Sequence, residues 1–144
     1  MIMDFLAINW LAVIVAAVAF FALGALWYGP LFGKPWQKGV GLSDEEIKSA
    51  HMGKLFGSAF IFALIISVGM AMFFFAFPAE PGSEQVMTME MGVMYGIMTG
   101  VFFLFPSISM NYLFARKSSK LMLIDSGYHI VAYTVVGVIL AAWQ

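Results

Sequence analysis

The chain has 144 residues, of which 62% are hydrophobic and 10% charged, and its formal net charge is −1. A soluble domain runs about 45–50% apolar and about 25% charged, and a chain this short cannot hide such an excess from water. With no cysteine it cannot use disulfides, thiolate metal sites or thiol catalysis, and no charge block is long enough for a nucleic-acid arm.

Lipid is the solvent that suits this composition. Crossing a bilayer takes about 20 mostly apolar residues at about 1.5 Å each. Four stretches meet that length, at about 5–28, 54–77, 86–114 and 121–143. Each must be helical, because every backbone polar group in lipid has to be satisfied within its own segment. The expectation is one all-α domain over 1–144, an integral membrane four-helix bundle.

The first segment carries a small-x-small site at Ala17-Val18-Ala19, as a signal peptide would. However, Asp4 precedes it, no Lys or Arg does, and the apolar run continues to Trp27. An uncleaved membrane helix is expected. Pro30 should stop that helix, since it lacks an N–H and disfavours helix at the residue before it.

A cytoplasmic connector follows, at about 31–53. Leu31, Phe32 and Trp36, with Lys34 and Lys38, suit a stretch lying on the membrane surface. Ser43-Asp44-Glu45-Glu46 fits a capping box, so a short polar helix should start there. Lys48 and Lys54 complete the basic residues of this loop, and Arg116, Lys117 and Lys120 supply those of the third loop. The second loop, Pro78 to Gln85, holds Glu80 and Glu84 and no cation. All seven cations thus fall on one side. By the positive-inside rule that side is cytoplasmic, with both termini outside, as in a cell (inner) membrane protein. Trp10, Trp27, Tyr28, Trp36, Tyr112 and Trp143 fall near segment ends, where aromatic rings prefer the headgroup layer.

The third segment carries Gly92, Gly96 and Gly100. This doubled G-x-x-x-G ridge lets another backbone approach closely, in the same chain or another. Pro106 is expected to kink the segment beside Ser107, Ser109 and Asn111.

Two stretches look familiar. Leu26-Trp27-Tyr28-Gly29-Pro30-Leu31-Phe32-Gly33-Lys34-Pro35-Trp36, followed by Gly41-Leu42-Ser43, resembles the opening of the domain-of-unknown-function 1761 family. Asp125-Ser126-Gly127-Tyr128-His129, followed by Gly137 to Trp143, is similar to that family's closing helix. The family often has Asn where this chain has Asp125. The resemblance implies a four-helix membrane fold and brings no activity with it.

The polar residues that can carry chemistry lie on the fourth segment. Asp125, His129 and Tyr133 are spaced i, i+4, i+8 and share a face. Matching depths in an antiparallel hairpin puts Asn111 level with Asp125 and Ser107 level with His129. These five residues form either an interhelical hydrogen-bond clasp or a ligand or proton site. Either way, His129 should have a polar partner. Glu90 should reach the outer headgroups, with Asn9 at similar depth as a partner. Two isolated histidines, His51 and His129, make no metal or haem motif, and no cofactor is expected. No Ser-His-Asp order or paired catalytic carboxylate is visible, so an enzyme is not expected. Two functions remain. One is a structural or accessory protein, acting as a homo-oligomer or with other membrane subunits. The other is a small transporter or channel, proton-coupled through Asp125 and His129. The partners expected are the lipid bilayer and other membrane proteins, not nucleic acid.

Overall fold

The computed structural model describes residues 8–75 and 87–143. Asp4, the acidic second loop with Glu80 and Glu84, and the expected helix ends at Phe5, Phe77 and Val86 lie outside the described residues. Among the described residues all regular structure is helical, and four helices are long and apolar enough to cross a membrane.

Helix α1 spans Trp10–Leu26. Asn9 caps it, its side-chain oxygen accepting from the N–H of Ala12 at 3.1 Å. Its carboxamide N–H also donates to the carbonyl of Trp143 at 2.8 Å. The expected pairing of Asn9 with Glu90 is therefore replaced by one that ties the start of the first membrane helix to the end of the last.

Pro30 does not stop the helix. The chain continues through one wide turn, Trp27–Leu31, in which the N–H of Phe32 donates to the carbonyl of Trp27 at 2.8 Å. A proline ring clashes with the carbonyl four residues back. Spacing the hydrogen bond over five residues removes the clash without ending the helix.

Helix α2, Gly33–Val40, follows and ends at Gly41, whose φ of 80° suits a glycine. Helix α3, Asp44–Ser49, starts on the expected capping box: Ser43 Oγ accepts from the Glu46 N–H, and Glu46 accepts from the Ser43 N–H at 2.8 Å. Helix α4, Met52–Phe75, is the second membrane helix.

The third membrane helix has two straight parts, α5 (Met89–Met98) and α6 (Phe105–Phe114). Between them lies a second wide-turn segment, Thr99–Leu104. It ends at Leu104, directly before Phe105-Pro106, so the irregular backbone lies in the turn preceding the proline. Helix α7, Ser119–Ala142, is the fourth membrane helix.

Helix α7 is the hub. It packs against α1, α4 and the whole α5–α6 helix, and also touches α2. Small residues bring the backbones together. Ala12, Ala16 and Ala17 on α1, Ala63 and Ser67 on α4, and Ala132 and Val136 on α7 are almost fully buried. The glycine ridge does the same for α5 and α7. A Cβ on Gly96 would lie 2.5 Å from the Cα of Thr134, and one on Gly100 would lie 2.6 Å from the Cα of Ile130. Gly92 meets Gly137 more closely still. The neighbour of this ridge thus belongs to the same chain.

Candidate functional site

The site lies where the wide turn of α1, the first half of α7 and the last turns of α6 meet. Asp125 is only 9% exposed. Its Oδ1 accepts from the hydroxyl of Tyr28 at 2.9 Å, and its Oδ2 accepts from the hydroxyl of Tyr112. One carboxylate therefore joins three of the four membrane helices, and neither partner is a cation. A buried polar group needs hydrogen-bond partners, and each interhelical bond of this kind in a membrane is worth about 0.6–2 kcal/mol.

Two further bonds lock α1 to α7. The Trp27 indole N–H donates to the carbonyl of Ile124 at 3.0 Å. The Tyr128 hydroxyl donates to the carbonyl of Phe20 at 3.0 Å. Each helix thus offers a backbone carbonyl to an aromatic donor from the other. Glycines make room for these rings: a Cβ on Gly24 would lie 3.1 Å from the Tyr128 hydroxyl, and one on Gly127 would lie 3.3 Å from the Trp27 ring. Gly33 lies under the same turn, where a Cβ would lie 2.7 Å from the Tyr28 carbonyl. Tyr28 stacks edge-on against Tyr128 and Trp36, with ring centres 5.1 and 5.4 Å apart.

The residues expected from the sequence separate into two groups. Asp125, His129 and Tyr133 do face the bundle. His129 lies among the rings of Tyr128, Phe20 and Tyr133, with centres 5.1, 6.4 and 6.3 Å away. Its Nδ1 is buried and has no hydrogen-bond partner among the described residues. Among the described residues, that nitrogen lacks the polar partner that the sequence leads one to expect.

Ser107 and Asn111 are exposed on α6 and do not join the cluster. Matching of depth says nothing about direction around the helix. Asn111 and Tyr112 differ by about 100° around the axis. It is Tyr112 that points at α7, and its length lets the hydroxyl reach Asp125. Tyr28 and Trp27, whose place near a segment end suits the headgroup layer, also serve as interhelical donors. The available signal was that the two familiar stretches, one at each end of the sequence, are the ones that meet here. Ser126, inside the second stretch, is fully buried with its Oγ unpaired among the described residues.

The class of protein is thus a small helical membrane protein with a carboxylate clasp at one end of its bundle. The sequence model of one family, described as protein of unknown function (DUF1761), matches residues 11–141, and the chain belongs to that family. No curated protein and no solved structure matches it.

Proposed function

We propose that this chain is a non-enzymatic structural or accessory protein of the cell membrane, acting as a homo-oligomer or as a subunit of a larger membrane assembly. Its basic end faces the cytoplasm, and both termini lie on the other side. The observation that carries this reading is the Asp125 carboxylate, both of whose oxygens are taken up by phenols from neighbouring helices. A group so engaged holds helices together. It is poorly disposed to release and rebind a ligand, because each cycle would break two interhelical hydrogen bonds.

The second reading, a proton-coupled transporter, draws support from the buried, unpaired Nδ1 of His129, one helical turn from Asp125. Proteoliposomes carrying a pH-sensitive dye inside separate the two. The structural reading expects the wild-type chain and Asp125→Asn to leave an imposed pH gradient equally intact. Dissipation of the gradient by the wild type, lost in Asp125→Asn with the fold preserved, would establish the transport reading instead.

A further inference from the structure

Positive charge gathers where α2 rests on the start of α7. A Cβ on Gly39 would lie 3.0 Å from the Leu121 side chain, and Leu121 is only 1% exposed, so α2 is seated on the first turn of α7. Lys38 and Lys120 are the chain neighbours of these two residues. Lys34 lies one turn before Lys38 on the same face of α2. Arg116 and Lys117 occupy the turn that joins α6 to α7. All five cations are exposed, and among the described residues none of them has an ion pair. The only carboxylate on α7, Asp125, is taken up by Tyr28 and Tyr112.

Three membrane spans have an end here. The first finishes at Leu31, the third at Phe114, and the fourth begins at Ser119. The cations therefore stand at the level of the lipid headgroups. Just inside them the surface is apolar and open: Leu31 is 59% exposed, Leu113 71% and Phe114 90%. A free phosphate or an acidic peptide would meet only the charged part of this surface. An amphiphile with an anionic head meets both parts. The rest of the basic end is different. On α3 the exposed Asp44, Glu45 and Glu46 outnumber Lys48, so that helix repels an anion.

We infer that α2 and the α6–α7 turn together form a binding site for an anionic phospholipid. Its phosphate lies among Lys38, Arg116, Lys117 and Lys120, and its acyl chains run down past Leu31, Leu113 and Phe114. Arginine suits the role because its planar fork gives a phosphate two parallel hydrogen bonds. Clustered cations at the end of a membrane helix are attracted to anionic headgroups in this way. The clasp holds the site in shape. Asp125 binds Tyr28, and the Tyr28 ring stacks on Trp36 of α2 with centres 5.4 Å apart. Such a site goes beyond the accessory reading and requires neither a second copy nor another subunit.

The full chain, purified in mild detergent, is offered an equimolar mixture of phosphatidylglycerol and phosphatidylcholine with the same acyl chains. Native mass spectrometry counts the lipids retained. One cation beside an anionic lipid surface raises affinity about fivefold, so the unmodified chain should favour phosphatidylglycerol by more than about tenfold. Lys38→Gln with Lys120→Gln, and Arg116→Gln with Lys117→Gln, should each cut that preference by at least about fivefold. Lys48→Gln with Lys54→Gln removes the same charge away from the site and should leave the preference unchanged. Circular dichroism checks the fold of each variant. The unmodified chain gives a reading that needs no variant: its preference should collapse when the ammonium acetate concentration is raised about tenfold, because exposed charges are screened by salt. Equal retention of the two lipids by the unmodified chain overturns the inference, and so does a loss in the Lys48/Lys54 pair as large as in the other two. Equally strong retention of glycerophosphoglycerol, the headgroup without its chains, would make this a site for free phosphate esters and would overturn it as well.

Discussion

Tyr28 and Tyr112 each leave Asp125 one oxygen short if they are removed, so the two phenylalanine variants report how the clasp shares its energy. Tyr28→Phe and Tyr112→Phe should each destabilise the bundle by about 1–2 kcal/mol, the range of an interhelical hydrogen bond in a membrane. The double variant should cost more than the sum, because it strands a buried carboxylate. Thermal unfolding in detergent, followed by circular dichroism, measures all three. Asp125→Asn should be mild by the same assay, since a carboxamide oxygen can still accept from one phenol while its N–H donates to the oxygen of the other. Asp125→Leu, which orphans both hydroxyls, should be far worse.

The clasp was half legible in the residues. Asp125 stood out because a carboxylate inside an apolar helix needs a partner, and its i, i+4, i+8 companions followed from helical geometry. The partners themselves were hidden. Tyr28 and Tyr112 look like ordinary interfacial aromatics, and only coordinates say which way such a ring turns. Ser107 and Asn111 were drawn in by depth alone. The wide turn at Thr99–Leu104 changes the angular register of everything after it, so the face presented by α6 could not be computed from an ideal 3.6-residue period.

At the level of whole helices, length and apolar content revealed all four membrane segments, and Ser43-Asp44-Glu45-Glu46 revealed α3. The glycine ridge was visible as well, but its partner was not, since a G-x-x-x-G pattern has no address. With α7 as that partner, the prediction becomes sharper. Gly96→Ala should already destabilise the folded chain, because even one carbon would lie 2.5 Å from backbone, and overpacking of that kind costs about 1–3 kcal/mol. Gly57→Ala, at a position with nothing within 4 Å, should be neutral or slightly stabilising, as alanine favours helix by up to about 1 kcal/mol. The same unfolding assay compares the two. If Gly96→Ala matched the wild type, the α5–α7 contact would be looser than described.

Helix α3 should respond to acid. Hydrogen bonds from the backbone N–H and the hydroxyl of Ser43 hold the Glu46 carboxyl below the usual carboxylate range. The folded-state value is depressed, so the capping contribution is complete above the ordinary glutamate value and is lost as pH falls through the folded one. Amide exchange at Ser43 and Glu46 should therefore speed up in acid beyond its intrinsic pH dependence. Glu46→Gln should abolish that excess while keeping a residual cap.

Across the whole molecule, the cations mark one end. Lys34 and Lys38 lie on α2, Lys48 on α3, Lys54 in the first turn of α4, and Arg116, Lys117 and Lys120 at the junction of α6 and α7 beside the Asp125 clasp. Lys38→Cys, exposed on α2, should react with a membrane-impermeant maleimide only after the cytoplasmic face is opened. Reaction in sealed cells would invert the proposed orientation.

The bonds between α1 and α7 also set a timetable. Trp27 and Ile124 stand 97 residues apart in the chain, as do Tyr28 and Asp125. Ribosomes add about 5–20 residues per second, so Trp27 and Tyr28 wait about 5–20 s after their own synthesis for the helix that receives them. During that interval the first two membrane helices stand in the bilayer with their donors unmet, a natural signal for quality-control proteases or a holding chaperone. A chain ended after Lys117 never leaves that interval. In a pulse-chase experiment it should be degraded several times faster than the complete chain, and supplying residues 118–144 as a separate membrane segment should slow its loss.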